Sequence, residues 1–163
     1  MSESTFLQIK ELLDSKKVEY KHLVHEHVKT SEEAARVRGT RLEDAAKALI
    51  CKVQNSGNDG ELIQAIIPGN ERLDLKKLKL ILDAKNISLA SPDEVLERTG
   101  CTIGSIPPFG ILWNIRMLID EELLKRELIV FSAGTHTDSI QLKPEDYMKV
   151  VDAKVVEIKK NII

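Results

Sequence analysis

Aromatic side chains, long apolar runs and positive net charge are all scarce or absent in this 163-residue chain, and each absence excludes a class of protein. Phe, Trp and Tyr make up 4% of the residues, too few for a face that stacks bases on aromatic rings. No apolar run approaches the roughly 18 residues that would span a membrane. A formal net charge of −2 gives no overall positive field, so any contact with nucleic acid has to be local.

Cysteine is also scarce, and the two that occur, Cys51 and Cys101, follow no metal-binding or redox spacing. The N-terminal segment carries charges among its apolar positions, which is unlike a secretory signal peptide. We therefore expect free thiols in a reducing, cytoplasmic environment. Cys51 falls within an apolar run, where a thiol is usually inert. Cys101 borders a loop and leaves a thiol-dependent hydrolase as one open alternative.

Motifs for metal ions, nucleotides and serine nucleophiles are missing as well: the chain contains no HExxH, CxxC, P-loop, GxGxxG or GxSxG. Three of the four histidines, His22, His25 and His27, fall close together, but on a strand His22 would face away from the other two. The fourth, His136, lies far along the chain. We expect neither a metal site nor a cofactor.

The composition that remains is that of a globular domain with a substantial core, since 42% of the residues are hydrophobic and 31% are charged. Predicted strands and helices alternate, but short turns join several strand pairs. This pattern favours a mixed α/β fold with a largely antiparallel sheet surrounded by helices, rather than a doubly wound parallel sheet. No repeat or linker divides the chain, so we expect one compact domain over residues 1–163.

Capping motifs predict where the helices begin. Thr30 and Glu33 form a capping box before a helix that ends at Gly39, and residues 40–43 repeat this signature before a short helical turn. Ser91 starts a helix whose next residues, proline and two acids, strengthen the signal.

Apolar spacing predicts the other elements. A first amphipathic helix ends near residue 16, Asp74 caps another helix, and a short one follows residue 144. Strands are predicted at residues 19–25, 47–53, 61–67, 87–90, 112–119, 127–131, 139–142 and 150–158, with a hairpin turn at 55–60.

A run of glycines, prolines and small residues, GCTIGSIPPFG at residues 100–110, joins a predicted helix to a predicted strand. We call it the Gly–Pro loop. Gly100 and Gly104 allow a positive φ or the close approach of another backbone, whereas Pro107 and Pro108 fix φ and remove two amide donors. These residue types suit the wall of a small-molecule pocket and, equally, a buried structural loop.

Lys47 is the only charged residue at the point where a helical turn enters an apolar strand. It could direct its ammonium into a cleft, as a cation for a phosphate, carboxylate or carbonyl oxygen, or extend along the core with its head in water. The polar turn at residues 132–139 offers hydroxyls, an imidazole and amides that could order a water, and it would also serve as an ordinary hairpin loop.

Two groups of lysines form further basic regions, which are either solvated faces or sources of a few phosphate contacts. They are Lys76, Lys77, Lys79 and Lys85 on or near one helix, and Lys149, Lys154, Lys159 and Lys160 near the C-terminus.

In their order and spacing, six segments resemble the YbaK/EbsC-type family, which is related to the editing insertion of bacterial prolyl-tRNA synthetases. Each segment is weak by itself, but together they extend over essentially the whole chain. They are TSEEAA at residues 30–35, AK at 46–47, LDLKK at 73–77, ASPDE at 90–94, TGCTIGSIPPFG at 99–110, and FSAG at 131–134 followed by IQL at 140–142.

The resemblance implies a trans-acting aminoacyl-tRNA deacylase, which hydrolyses the ester between a wrongly attached small amino acid (Ala, Cys, Ser or Thr) and the 3′ end of a tRNA. Lys47 matches the lysine characteristic of the family's editing site. Gly104 matches a glycine of the loop whose backbone contacts the substrate, and Ser132 matches the serine of the polar turn. Thr30 and Ser105 join the implied substrate-binding set.

The polar turn departs from the family pattern. His25 stands where some relatives carry a tyrosine, and Ser139 stands where some carry an aspartate, a role that Asp138 or His136 could take. We count His25, His136 and Asp138 as substrate-binding candidates. The implied partners are the aminoacylated 3′ end of tRNA and an aminoacyl-tRNA synthetase, with no membrane. The alternative is a module that binds tRNA or an amino acid without turnover.

Overall fold

A computed structural model describes residues 2–55 and 60–161. Its helices are α1 (Ser2–Ser15), α2 (Ser31–Arg38), α3 (Leu75–Leu82), α4 (Pro92–Thr99) and α5 (Pro144–Val150). Its strands are β1 (Lys21–Val24), β2 (Ala46–Gln54), β3 (Glu61–Pro68), β4 (Asn86–Leu89), β5 (Arg116–Asp120), β6 (Ile129–Ser132), β7 (Asp138–Leu142) and β8 (Ala153–Val156). Short 3₁₀ helices lie at Leu42–Asp44, Gly110–Trp113 and Glu121–Lys125. No helix in these residues is long and apolar enough to cross a membrane.

The strands form two sheets. One is antiparallel with the order β1-β7-β6, and the other has the order β4-β2-β3-β5-β8, in which β5 runs parallel to both β3 and β8. The remaining pairs are antiparallel, so the predicted mixed α/β fold with largely antiparallel pairing is confirmed. A bridge between Ala45, just before β2, and Val130 of β6 links the two sheets.

The hydrophobic side chains between the two sheets form a large buried cluster with an aromatic centre. Phe109 lies edge-on to Phe131 and to Tyr147, with ring centroids 5.4 and 5.6 Å apart. Tyr147 is fully buried and donates its hydroxyl hydrogen bond to the carbonyl of Pro108. The core therefore fixes the end of the Gly–Pro loop that lies farther from α4.

The predicted helix caps at Thr30, Asp74 and Ser91 are confirmed. Thr30 Oγ1 accepts from the amide of Glu33 at 3.1 Å, and Ser91 forms a complete capping box with Glu94. Gly39 ends α2 in the left-handed conformation, with φ of 70°. These caps place the last turn of α2 beside the start of β2, which matters for the site below.

Several predicted details are wrong. Thr40 caps no helix, because Arg41 occupies the position before the 3₁₀ turn and makes no side-chain cap. The strand predicted at 112–119 begins only at β5, because a 3₁₀ turn reaches Trp113 and Asn114 then adopts φ of 55°. The strand predicted at 150–158 is shorter, since α5 extends to Val150. Most of the predicted hairpin turn lies outside the described residues, but β2 and β3 pair as expected.

Candidate functional site

A cavity of about 230 Å³ lies where the two sheets meet. Its walls come from α2 and the residues just before it, the start of β2, the Gly–Pro loop and the end of β6. Four residues that the sequence singled out line this cavity: Thr30, Lys47, Gly104 and Ser132. The fold thus brings together segments that are far apart in the chain.

Lys47 is the second residue of β2, where it pairs with Ile67 of β3, and its side chain lines the cavity. Its Nζ donates to the carbonyl of Glu71 at 2.8 Å, which uses one of the three ammonium hydrogens. Burial lowers the pKa of Lys47, and the negative charge of Glu32 opposes part of that shift. The side chain is therefore a half-buried cation with two donors still available, rather than a lysine whose head is simply in water.

Gly104 is a position that only glycine fits without strain. Its φ is 96°, and a Cβ there would lie 2.7 Å from the carbonyl oxygen of Lys29 and 3.3 Å from Cε1 of His136. Its carbonyl accepts from Ser132 Oγ at 3.2 Å, while its amide has no partner among the described residues. That amide can therefore donate to a ligand.

The Gly–Pro loop is both a cavity wall and a buried structural element, so the two interpretations of its sequence hold together. The amide of Gly134 donates to the carbonyl of Ser105 at 3.0 Å, which joins the loop to the polar turn. Gln64 is fully buried and donates to the carbonyl of Pro107, while its Oε1 accepts from the amide of Gly110. These contacts hold the loop at its middle and at the end that leads to residue 110, which makes its shape at the cavity definite.

Four predicted substrate-binding residues lie outside the cavity lining: His25, Ser105, His136 and Asp138. Ser105 is 1% exposed and donates its hydroxyl to the carbonyl of Thr102. Their polar atoms are used within the protein, so they support the wall.

His136 ties the polar turn to two neighbouring segments. Its Nδ1 lies 2.8 Å from the carbonyl of Val28 and its Nε2 lies 2.7 Å from Thr102 Oγ1, while its ring stacks on His27. Because a carbonyl can only accept, Nδ1 carries a hydrogen and donates to Val28. The imidazole is not free to act as a base in the cavity.

Asp138 is paired with His22, whose Nε2 lies 2.7 Å from Oδ1. Burial alone would raise the pKa of this carboxyl, but hydrogen bonds from Thr135 and His22 outweigh it, and the net pKa is lowered. The carboxylate of Asp138 therefore pairs with His22 of the neighbouring strand β1.

Arg38, which was not among the predicted site residues, lines the cavity from the last turn of α2. Its Nε donates to Ser139 Oγ at 2.8 Å and its Nη2 donates to Ser132 Oγ at 3.2 Å. Burial lowers the pKa of Arg38 to about 10, so the guanidinium stays charged at neutral pH. A basic residue in the last turn of a helix is ordinary, so no local signal distinguished it.

His25 contacts this arginine through a serine instead of lining the cavity. Its Nε2 lies 2.7 Å from Ser139 Oγ and its Nδ1 lies 2.8 Å from the carbonyl of Glu26. Ser139 is fully buried. His25 and Ser139 therefore contribute to holding Arg38 and do not line the cavity.

Both cysteines are buried free thiols. Burial raises the pKa of Cys51 to about 12 and also raises the pKa of Cys101, whose nearest polar side chains are Thr5 and Thr99. Neither thiol lines the cavity. The thiol-dependent hydrolase is therefore contradicted, because a buried, protonated sulfur cannot reach a ligand there.

The charge of the cavity is one-sided. Three cationic side chains line it (Lys29, Arg38 and Lys47), and the described part of its lining contains no aspartate or glutamate. The whole chain has a formal net charge of −2, so this concentration of positive charge is local. No group of three or more His, Cys, Asp or Glu among the described residues is placed to hold a metal ion. The fold and the cavity define a small α/β protein whose two sheets meet at a cavity lined by positive charge.

Comparison with known proteins identifies the family. The family described as "Aminoacyl-tRNA editing domain" matches residues 25–150. The chain belongs to the aminoacyl-tRNA editing domain family, as the sequence resemblance predicted.

Two relatives and one solved structure illustrate the likeness. The chain is 35% identical over 150 residues to the multifunctional Ser/Thr-tRNA deacylase ProXp-y of Escherichia coli K12, which covers 91% of this chain and 89% of that protein. It is 35% identical over 102 residues to a proline–tRNA ligase of Thermosipho melanesiensis, covering 62% of this chain and 17% of the ligase. The crystal structure of a candidate trans-editing enzyme for prolyl tRNA synthetase has the same fold, with a TM-score of 0.80 at 24% identity, covering 96% of this chain and 98% of that one.

Proposed function

We propose that this protein is a trans-editing hydrolase that cleaves the ester between a small amino acid and the 3′ end of a mischarged tRNA. The observation that carries the proposal is the cavity with three cations and no carboxylate in a protein of net negative charge. The 3′ end of tRNA brings phosphate charge to such a site, and family membership supports the same substrate.

The chemistry requires little from the protein beyond placement. An aminoacyl ester is already activated, so water can add to its carbonyl carbon if substrate and water are held and donors meet the developing oxyanion. In our proposal Lys47 anchors the terminal adenosine phosphate or the aminoacyl end with its two remaining donors. The free amide of Gly104 holds the amino acid, and the terminal ribose hydroxyl helps to activate water.

The size of the cavity favours a small amino acid. Its lining includes Phe131 and four alanines, Ala34, Ala45, Ala46 and Ala48. We propose alanine, cysteine, serine and threonine as the substrate class. A hydrophobic wall of this kind separates neighbours in that class only by about 1–3 kcal/mol per methylene.

The test is deacylation of tRNAs charged with alanine, cysteine, serine, threonine and proline, comparing wild type with Lys47→Ala. The matched control is Lys52→Ala on the same strand, whose ammonium pairs with Glu94 at 3.0 Å, away from the cavity. We expect the wild type and Lys52→Ala to release at least one small amino acid, and Lys47→Ala to be slower by about 10²-fold. If every ester survived while tRNA still bound, the protein would be a binding module instead.

We also propose a synthetase as a partner. The net charge of −2 predicts weak, salt-sensitive binding of tRNA, so a second protein that presents the charged 3′ end would help. The relationship to a proline–tRNA ligase supports prolyl-tRNA synthetase as the first candidate, and the cytoplasm, where tRNA is charged, as the location. Addition of the synthetase should lower the tRNA concentration that gives half-maximal deacylation, and no change would count against this partner.

A further inference from the structure

Arg38 is held more rigidly than the two lysines that share the cavity with it. Two hydroxyls fix its guanidinium, through Nε to Ser139 and through Nη2 to Ser132. Lys47, in contrast, makes one contact at the end of a flexible stem. A guanidinium held in one plane presents its donors in fixed directions, whereas the ammonium of a flexible lysine does not.

Each of the two serines is itself fixed, because its hydrogen goes to a further acceptor. Ser132 donates to the carbonyl of Gly104 at 3.2 Å, and Ser139 donates to Nε2 of His25, whose other nitrogen donates to the carbonyl of Glu26. In both series of hydrogen bonds the serine hydrogen points away from Arg38, so each serine oxygen is free to accept from the guanidinium. The network therefore sets both the position and the plane of the guanidinium.

No negative charge compensates this cation within the described residues. Burial lowers the pKa of Arg38, and its guanidinium contacts the hydroxyls of Ser132 and Ser139 with no ion pair to a carboxylate among the described residues. The two hydrogen bonds of Arg38 among the described residues use Nε and Nη2, and the side chain lines the cavity. The remaining guanidinium hydrogens are therefore available to a ligand there.

We propose that Arg38 is a catalytic residue that donates to the oxyanion formed at the ester carbonyl, with Ser132, Ser139 and His25 as positioning residues. This inference rests on the proposed function. Donors fixed in advance are most valuable where charge develops during the reaction, whereas a phosphate that is already charged can be held by mobile lysines. The contact between Ser132 and the backbone of Gly104 places Arg38 next to the amide that we assign to the amino acid.

The step that Arg38 assists is balanced without any further reactant. The oxygen of water bonds to the ester carbon, and the carbonyl electron pair moves to its oxygen as the oxyanion that Arg38 stabilises. When that pair returns, the bond to the ribose oxygen breaks, and this oxygen takes the proton that water has lost. The products are the free amino acid and the tRNA with its terminal hydroxyl restored.

The test measures single-turnover deacylation of the tRNA that the wild type cleaves fastest, over a range of enzyme concentrations. Arg38→Gln and Arg38→Lys should lower the rate constant at saturation by about 10²-fold, with little change in the half-saturating concentration. Lysine does not rescue, because it cannot hold both serines and still reach the cavity. Ser139→Ala should give a smaller, several-fold loss of the same rate constant. The matched control is Arg36→Gln, an exposed arginine two residues earlier in α2, which should behave as wild type.

Chemical rescue separates a catalytic role from a structural one. Millimolar guanidinium ion should restore part of the saturated rate of Arg38→Ala and should leave Arg36→Ala unaffected. If Arg38→Gln and Arg38→Lys instead raised the half-saturating concentration at an unchanged rate constant, Arg38 would hold phosphate and the inference would be overturned while the proposed function stood. A wild type that cleaves none of the five esters would overturn both.

Discussion

Two basic regions of the molecule look alike in composition but differ in how their charges are balanced. The first, which we call the C-terminal region, consists of residues 157–161 and the α3 residue Lys77, whose Nζ donates to Glu157 at 2.6 Å, to the carbonyl of Lys159 and to Asn161. Lys159 in turn lies 3.7 Å from the buried carboxylate of Asp120. In the cavity, Lys47 and Arg38 contact only carbonyl and hydroxyl oxygens. Cations with internal carboxylates hold the chain together, whereas cations without them are available to a ligand.

This contrast predicts opposite effects of mutation in the two regions. Removing a charge from the C-terminal region should lower stability and leave deacylation intact. Removing a charge from the cavity should lower deacylation and leave stability nearly unchanged.

The largest effect is expected at Asp120, which is fully buried and accepts from the amides of Ile158, Lys159 and Glu122. Asp120→Ala leaves these donors without their acceptor, so we expect the free energy of unfolding to fall by about 3 kcal/mol or more. Chemical denaturation measures this, with exposed Asp152→Ala as the control. A loss below about 1 kcal/mol would mean that the C-terminal region does not depend on this carboxylate.

Gly104→Ala should lower the free energy of unfolding by about 2 kcal/mol, because it combines a positive φ with a collision against the carbonyl of Lys29. Gly100→Ala is the matched control: its φ is also positive, 72°, but its Cβ would meet nothing within 4 Å. Only Gly104→Ala should also reduce deacylation, since it moves the cavity wall. Equal activity loss in the two variants would show that the close contact at Gly104 is unimportant.

Lys77→Ala should lower the free energy of unfolding by up to about 1 kcal/mol, the usual range for a partly exposed ion pair. Deacylation measured at a concentration where the variant is fully folded should match the wild type. A clear loss of activity with unchanged stability would place the C-terminal region in the substrate-binding surface.

Lys47→Ala should change stability least, within about 0.5 kcal/mol at neutral pH or in the stabilising direction. The pKa of Lys47 is lowered by folding, so the folded state disfavours its charged form at neutral pH. This penalty disappears as the pH rises through the lowered pKa toward the unfolded value. The free energy of unfolding of the wild type should therefore rise slightly relative to that of Lys47→Ala as the pH passes the lowered pKa. A strong destabilisation of the variant at neutral pH would contradict this account.

Local sequence signals predicted local structure well. The caps at Thr30 and Ser91, the left-handed Gly39 and the pairing of β2 with β3 all depend on residues close together in the chain. The division into two sheets was not predictable in the same way, because β5 pairs in parallel with β3 and β8, both distant in sequence.

The same limit applies to the cavity. The family resemblance selected Lys47, Gly104 and Ser132, which the fold brings to one cavity. Arg38 was not predicted as a site residue, because its two partners, Ser132 and Ser139, lie 94 and 101 residues further along the chain. Its role depends on what its neighbours lack, namely a carboxylate, and such an absence becomes visible only when the packing is known.

Binding of a non-hydrolysable seryl-adenosine 3′-amide, followed through the backbone amide signals of the protein, tests the central claim most directly. The account predicts that the ligand shifts the amides of Gly104 and of Ala46 and Lys47, and that Lys47→Ala weakens binding whereas Lys52→Ala does not. Equal binding to all three proteins, or shifts confined to residues outside the cavity, would contradict the claim that the aminoacyl end of tRNA is read there.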